Sequence, residues 1–305
     1  MINHITLKSK VRAYLCKAGF YRNMGMILRN NSNTTAEARV LDAYQQLKFE
    51  TEGRKSSLLW TTHKCASTFI SRVFSEIQNE YNIGCFDYAS QIWSLSDAIN
   101  LKDPYEIERS AASILYRKYG EVYGPLRTPF TFPHRSDLIN VFFLRDPRDV
   151  LVSAYYSARY SHAAPRHSLL KKQFNKDRNE LKDMDIDRFC LEKMRIWIRP
   201  YYNQYSEMAS TSPQCYVLSY DYFKDHTKDF LFKLFEAFGI ENIKAETLDK
   251  LSERASPIQE NPKQDILQHK RSGRSRQFEA ELKSETVDIM NNELADILKY
   301  WDFKA

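Results

Sequence analysis

Glycine and paired cysteines are scarce in this chain, and each scarcity excludes a class of site. Only eight of the 305 residues are Gly, and none belongs to the Walker A pattern G-x-x-x-x-G-K-[ST], whose backbone N–H groups hold nucleotide phosphates. A Gly-rich nucleotide loop is therefore excluded. The five cysteines are odd in number, widely spaced and free of any C-x-x-C pair, which argues against both a disulfide framework and a zinc site.

Long apolar runs and a strong charge imbalance are also missing. No stretch approaches the ~20 apolar residues that span a bilayer, and Met1–Phe20 is amphipathic, without the apolar core of a signal peptide. We therefore expect a cytoplasmic protein without stable membrane insertion. Lys and Arg number 45 against 39 Asp and Glu. This modest excess suits an anionic ligand, and we expect no nucleic-acid partner because the dense basic patch of such proteins is missing.

The most informative stretch is Leu138–Tyr156, which reads as a strand that feeds directly into a helix. Its apolar run ends at Arg145, and Asp146 followed by Pro147 is a typical helix start. Unpaired N–H groups and the positive dipole end favour an anion there, and Arg145 adds a permanently charged fork for phosphate oxygens. Ser153 brings a hydroxyl two turns into the helix. The alternative is an ordinary junction whose Arg pairs with a nearby Asp.

A second strand, loop and helix are predicted in Ser57–Phe74. Leu58–Trp60 is apolar and predicts a buried strand, and Thr61–Thr68 is a small polar turn. Apolar residues at helical spacing then predict a helix over Thr68–Ile77. Lys64 would bring an ammonium group to this turn, so the sequence predicts a phosphate-type loop that lacks glycine.

Together the two stretches resemble the sulfotransferase family that uses 3′-phosphoadenosine 5′-phosphosulfate (PAPS). L-R-D-P-R-D-V-L-V-S-A-Y-Y is similar to that family's 3′-phosphate motif, with Arg145 and Ser153 on its two phosphate ligands. T-T-H-K-C-A-S-T-F is similar to its 5′-phosphosulfate loop, whose usual form is P-K-S-G-T-T-W. The resemblance implies that this loop binds the cofactor through Lys64, Cys65, Ala66, Ser67, Thr68 and Phe69.

Two further matches follow in the family's order. Val217–Asp221 is similar to a strand end whose Tyr, here Tyr220, lies near the adenine, and Arg271, Ser272 and Gly273 resemble a C-terminal loop that grips the 3′-phosphate. Ser272 stands where the family usually has Lys. In the first loop, Cys65 and Ala66 replace the usual Ser and Gly. Cys65 is either a compact residue that lets the backbone approach phosphate or a low-pKa thiol beside Lys64.

The resemblance implies an α/β fold, a three-layer sandwich with a central parallel sheet and a P-loop-like nucleotide-binding site. We expect a helical extension over residues 1–52 and a sulfotransferase domain over residues 53–305. The implied reaction moves a sulfuryl group from PAPS to a hydroxyl or amine and releases 3′-phosphoadenosine 5′-phosphate (PAP), with Lys64 at the leaving group and no metal. The implied acceptor is a small molecule or a glycan, and a homodimer stays open.

The general base is harder to assign. The family usually places a His after the strand that precedes the 3′-phosphate strand, and His134 is the only His in the matching region. It lies about ten residues closer to Arg145 than the family's base, so His134 as catalytic base is one hypothesis. His63, beside Lys64, is another. Arg127 either orients the sulfate or forms a salt bridge.

Two other functions compete with this interpretation. A P-loop kinase shares the strand, loop and helix but requires Mg²⁺ and a Walker A lysine followed by Ser or Thr. A non-catalytic protein would keep the nucleotide site and lack the base. Elsewhere, the pattern predicts long helices over Asp187–Ser210 and Glu281–Trp301, and a charged stretch, residues 161–185, that is either a flap over the acceptor or disordered.

Overall fold

The computed structural model describes residues 53–88, 90, 108–109, 112–113, 115–162, 164, 168–255 and 275–304. Two predictions lie outside these ranges. They are the helical extension over residues 1–52 and the 3′-phosphate loop that contains Arg271, Ser272 and Gly273. The division of the chain near residue 53 therefore stays a prediction.

A five-stranded sheet forms the centre of the fold, and all of its strand pairs are parallel. The strand order is β2-β3-β1-β4-β5. β1, β3 and β4 are buried along their whole length, as strands covered on both faces must be. The strands are β1 (Ser57–Thr61), β2 (Gly84–Phe86), β3 (Glu121–Leu126), β4 (Ile139–Leu144) and β5 (Cys215–Ser219).

Helices connect the strands and cover both faces of the sheet. The first segments after β1 and β4 are α1 (Ser67–Tyr81) and α2 (Pro147–Tyr156), which continues as a π-helical turn (Ser157–Ser161). The remaining helices in the described ranges are α3 (Ser168–Glu180), α4 (Ile186–Lys193), α5 (Arg199–Ser210), α6 (Tyr220–Asp225), α7 (Thr227–Ala237), α8 (Ala245–Ala255), α9 (Gln277–Glu281), α10 (Ser284–Glu293) and α11 (Ala295–Tyr300). Each of the helices in these ranges is too short or too polar to cross a membrane.

Two separate apolar cores lie on opposite faces of the sheet. Because side chains alternate along a strand, Phe142 and Phe143 of β4 enter different cores. Phe142 packs with residues of α2, α4 and α5, among them Tyr205. Phe143 packs with α1 and α7, where Phe230 lies 4.8 Å from it between ring centroids. The predicted α/β sandwich with a central parallel sheet is confirmed.

The charged stretch over residues 161–185 is not a disordered loop where the structure describes it, and its role as a flap stays a prediction. From Ser168 to Glu180 it forms α3. Its residues from position 171 to 180 are mostly exposed, so no apolar periodicity was needed to position the helix. Lys, Arg, Gln, Glu and Leu are intrinsically good helix formers, and Arg178 ties the helix to the preceding turn by donating to the carbonyl oxygens of Ala158 and His162.

Both long predicted helices are interrupted. The first contains a π-helical turn, Met194–Ile198, immediately before α5. Pro200 has no N–H to donate and its ring crowds the preceding turn, and a local π-helical turn accommodates such a residue. The second divides at Leu294, between α10 and α11.

Candidate cofactor-binding and active site

The strand order puts two loops side by side at the carboxyl edge of the sheet. The chain leaves β1 toward β2 and β3 on one side, and leaves β4 toward β5 on the other. The crevice between β1 and β4 is therefore the switch point where open α/β sheets bind ligands. Lys64 follows β1 and Arg145 follows β4, so both sequence motifs meet at this crevice.

The loop after β1 has the backbone of an anion-binding turn. Lys64 and Ala66 both adopt left-handed conformations, with φ of 68° and 50°. Alternating right- and left-handed residues make a concave nest of N–H groups that attracts anions. Non-glycine residues rarely keep such a conformation unless the surroundings impose it. Ala66 thus adopts a left-handed backbone conformation that a Gly at this position would adopt without strain.

The start of α1 is electrostatically open. Its N-cap is Ala66, and within the described residues no side chain caps this helix start. The first turn, which contains Ser67 and Thr68, carries no acidic residue. The partial positive charge of the helix N-terminus is therefore uncompensated at the nest. An anion held by the loop would supply that compensation.

The Lys64 ammonium lies in this loop under conditions that favour an anionic ligand. Burial, followed by the charge of Arg145, lowers its pKa to about 8. Two cations held close together in a desolvated crevice repel each other. A phosphate or sulfate group between them would relieve that repulsion, so the crevice is built for negative charge.

Cys65 faces away from the crevice. Its side chain is fully buried, and its Sγ lies 3.4 Å from the carbonyl oxygen of Phe143 in β4. Burial raises the pKa of the thiol to about 12. The hypothesis of a low-pKa thiol is therefore wrong, because desolvation outweighs the nearby Arg145 charge. The other interpretation, a compact residue that lets the backbone turn, agrees with this placement.

Arg145 is held from three sides. Its Nη1 donates a 3.1 Å hydrogen bond to the backbone carbonyl oxygen of Lys64. Its Nη2 lies 3.6 Å from Oδ2 of Asp149, one turn into α2. Its guanidinium carbon lies 4.5 Å from the centroid of the Tyr220 ring. The loop after β1, helix α2 and the end of β5 therefore all orient the same guanidinium group.

The other predicted cofactor residues lie around this centre. Ser153 is half-buried on α2, eight positions after Arg145. Tyr220 opens α6 directly after β5, with Ser219 as the helix cap that accepts from the N–H of Tyr222. Phe69 is buried, and its ring centroid lies 5.1 Å from that of Phe223. Phe69 therefore supports the floor of the site next to α6.

Two tyrosines of α5 brace the strand ends, and the sequence analysis did not identify them. The Tyr205 hydroxyl donates a 2.5 Å hydrogen bond to the carbonyl oxygen of Thr61, the last residue of β1. The Tyr202 hydroxyl donates to the carbonyl oxygen of Arg145. Both side chains are fully buried. The only available signal was a pair of tyrosines three residues apart on a predicted helix, which usually indicates core packing.

The structure does not bring His134 to this crevice. His134 precedes the 3₁₀ turn Arg135–Asp137 that leads into the amino end of β4, and its Nε2 lies 2.7 Å from the carbonyl oxygen of Tyr116. Lys64 lies beyond the carboxyl end of β1, at the opposite edge of the sheet from His134. The six residues of β4, which is parallel to β1, rise ~3.3 Å each, so the amino and carboxyl edges of the sheet are roughly 20 Å apart.

His63 precedes Lys64 in the same loop and lies close enough to Arg127 to be affected by its charge. The His63 ring centroid lies 6.1 Å from that of Trp197. Burial, followed by the charges of Arg127, Lys64 and His162, lowers the pKa of His63 to about 4. The imidazole is therefore neutral at pH 7 and able to accept a proton. Nη2 of Arg127 lies 3.7 Å from Oδ2 of Asp87, so the predicted salt bridge forms.

In the described part of the chain, no three His, Cys, Asp or Glu side chains lie close enough together to hold a metal ion. The crevice is suited to an anionic ligand. Its cations, left-handed nest and uncapped helix all favour phosphate or sulfate oxygens.

Comparison with solved structures agrees with this geometry. Retinol dehydratase in complex with retinol and PAP has 15% sequence identity and a TM-score of 0.51, covering 82% of this chain and 83% of that chain. Retinol dehydratase in complex with androsterone and the inactive cofactor PAP has 16% sequence identity and a TM-score of 0.52, covering 82% of this chain and 82% of that chain. Mouse sulfotransferase SULT7A1 with PAP gives 13% identity, a TM-score of 0.54, and coverage of 81% and 84%. No family model and no curated protein sequence matches the chain. The chain therefore has the fold of these PAP-bound structures.

Proposed function

We propose that this protein transfers a sulfuryl group from PAPS to a hydroxyl or amine of an acceptor and releases PAP. One observation carries the proposal. Lys64 and Arg145, from the two motifs that resemble PAPS-binding sequences, meet at the switch point of the sheet and are joined by a hydrogen bond. The shared fold with proteins crystallised with PAP supports the same assignment.

The proposed cofactor spans the crevice from β1 to β5. The 5′-phosphosulfate binds the nest and the start of α1, residues Lys64–Thr68. The 3′-phosphate binds Arg145 and Ser153, and Arg271, Ser272 and Gly273 stay predicted ligands. Tyr220, which lies against Arg145, borders the adenine. This orientation puts the most mobile charge, the ammonium of Lys64, nearest to the reacting sulfur.

In the proposed reaction, the bond between sulfur and the oxygen that bridges it to the 5′-phosphate breaks. A bond from sulfur to the acceptor oxygen or nitrogen forms, and the acceptor proton passes to a base. Negative charge grows on the departing phosphate, where Lys64 donates to it. Removing a donor aimed at such a charge typically costs about 3–4 kcal/mol, or 10²–10³ in rate.

We further propose His63, rather than His134, as the base. His63 is adjacent to Lys64 in sequence, and its ring lies 6.1 Å from that of Trp197. Its neutral form can accept the acceptor proton, and the negative charge of bound PAPS would raise its pKa from about 4 toward the working pH. His134 would have to leave its Tyr116 contact and cross the sheet.

The acceptor would then approach next to His63, near Trp197 and Arg127. Retinol and androsterone are the small molecules in the two retinol dehydratase complexes. By analogy we propose a small organic molecule with a hydroxyl or amine as acceptor. A cytoplasmic location and a homodimer remain expectations from the sequence.

The direct test incubates the full chain with PAPS and a panel of phenols, alcohols and amines, and measures PAP and the sulfated product together. We expect acceptor-dependent formation of both products in equal amounts, in the presence of EDTA. His63→Asn should lower turnover by about 10²-fold or more, whereas His134→Asn should not. Tight PAP binding without turnover across the panel would instead favour a non-catalytic binding protein.

A further inference from the structure

A carboxylate in the second motif touches both the phosphate arginine and the C-terminal part of the chain. Asp149 is one turn into α2 and is 1% exposed. Its Oδ2 lies 3.6 Å from Nη2 of Arg145 and accepts a 2.9 Å hydrogen bond from the backbone N–H of Arg276. Its Oδ1 accepts from the backbone N–H of Phe278 at 3.2 Å.

We propose that Asp149 is a positioning residue that sets the preference of this site for a ligand with a 3′-phosphate. It does so by orienting the Arg145 guanidinium and by fixing the start of α9 beside it. The inference rests on the proposed function, because it assumes that Arg145 reads the 3′-phosphate.

Within the motif R-D-P-R-D, Asp146 pairs with Arg148 and Asp149 pairs with Arg145. Asp146 binds Arg148, whose Nε lies 3.0 Å from Oδ1 and whose Nη2 lies 2.6 Å from Oδ2. Arg148 is fully buried and is thereby committed to Asp146, to Oδ1 of Asn291 at 2.5 Å and to the Lys304 carbonyl oxygen. Asp149 is then the carboxylate of the motif that faces the phosphate arginine.

The same carboxylate anchors the start of α9. Arg276 precedes α9 in a left-handed conformation, with φ of 57°, and its N–H and that of Phe278 point at Asp149. Arg148 stacks over the Phe278 ring at 4.1 Å, and Ser275 donates a 2.5 Å hydrogen bond to Oδ1 of Asp221. Removing the carboxylate therefore loosens Arg145 and the start of α9 together.

Simple charge competition predicts the opposite effect. An anion 3.6 Å from Arg145 neutralises part of the charge that a phosphate would use, and Asp146 adds negative charge nearby. If Asp149 acted only as a competitor, its removal would tighten binding of a 3′-phosphorylated ligand. A positioning role predicts weaker binding, because a reoriented guanidinium loses its directed hydrogen bonds.

The test compares PAP with adenosine 5′-monophosphate (AMP), which lacks the 3′-phosphate, by calorimetric titration of the full chain. In Asp149→Asn we expect the ratio of the AMP to the PAP dissociation constant to fall about tenfold or more, with AMP affinity nearly unchanged. Asp149→Glu keeps the charge but displaces the carboxylate, so the ratio should fall there as well. Glu76→Gln is the matched control, since Glu76 also pairs with two partners, Lys250 and Arg254, on α8.

A fall in the ratio supports the inference. An unchanged or increased ratio in a folded Asp149→Asn protein overturns it, and where the ratio is unchanged because both ligands lose affinity equally, Asp149 serves stability alone. If Asp149→Asn does not fold, the ratio in Asp149→Glu decides in the same way, and failure of both variants to fold also assigns Asp149 to stability alone. If the unaltered protein binds PAP no better than AMP, the proposed function fails instead, which separates the two claims.

Discussion

Arg145 donates a hydrogen bond to the backbone carbonyl oxygen of Lys64, and this 3.1 Å contact joins residues 81 positions apart. The contact connects the two motifs through a main-chain atom of Lys64, so it does not involve the Lys64 ammonium group. The contact also fixes the left-handed residue of the nest relative to β4. In the proposed enzyme, the ends of PAPS that carry the 5′-phosphosulfate and the 3′-phosphate would therefore be recognised by one connected unit.

Lys64→Ala should lower turnover much more than PAP affinity. Its ammonium is assigned to charge that develops on the leaving phosphate, and loss of such a donor costs about 10²–10³ in rate. The measurement compares kcat with the PAP dissociation constant. Lys64→Arg, which keeps a cation, is the control and should retain more of the rate. Equal losses in kcat and PAP affinity would contradict the assigned role.

Arg145→Ala should weaken PAP binding at least tenfold more than it weakens binding of adenosine 5′-phosphosulfate. Directed charge-assisted hydrogen bonds to the 3′-phosphate are lost, and each is worth about 1.5–3 kcal/mol. Competition titrations with the two ligands measure the difference. Equal losses for the two ligands would show that Arg145 does not bind the 3′-phosphate.

Tyr205→Phe should destabilise the fold by about 1–3 kcal/mol, because the buried Thr61 carbonyl oxygen loses its hydrogen-bond donor. Urea unfolding measures the change in the free energy of unfolding. Tyr201→Phe removes a hydroxyl from the same helix at a half-buried position and should change stability by less. A neutral Tyr205→Phe would mean that the hydroxyl does not brace β1.

Glu108 should make the folded protein less stable as pH rises from about 4.5 to 7. This carboxyl is buried and accepts a 2.7 Å hydrogen bond from Tyr116, and burial raises its pKa from 4.5 to about 7. The folded state therefore favours the protonated form, a contribution fully present below pH 4.5 and lost as pH passes 7. It amounts to about 3 kcal/mol at most.

Glu108→Gln removes that titration. The free energy of unfolding, measured from pH 5 to 8, should fall less steeply in the variant than in the unaltered protein. Asp149, whose pKa burial raises to about 6, adds a slope of the same sign in both proteins, and His63, whose pKa burial lowers to about 4, adds a slope of the opposite sign in both. Identical slopes in the two proteins would contradict the assignment to Glu108.

The sheet and the loops after β1 and β4 were predictable because local signals and tertiary structure agree there. Apolar runs became β1 and β4, and Asp146 with Pro147 began α2 as predicted, with the Asp146 side chain accepting from the N–H of Arg148. These features depend on neighbours in sequence, which is why the places of Lys64 and Arg145 after β1 and β4 could be predicted.

Other features depend on which groups meet after folding. The distance of His134 from the crevice follows from the direction of β4, which places it at the amino edge. The pKa of Cys65 depends on burial against Phe143 rather than on its neighbour Lys64. Asp149 and Tyr205 have roles that only the packing of α2 and α5 defines. Sequence spacing cannot supply such contacts between distant elements.

The most direct test of the central claim is a thermal-shift titration of the full chain with PAP, ADP and ATP, with and without Mg²⁺. A ligand at 100 times its dissociation constant stabilises a fold by about 2.7 kcal/mol, enough for a clear shift. The account predicts a metal-independent shift with PAP that ADP does not match. A shift with ATP and Mg²⁺ alone would contradict it and favour a kinase.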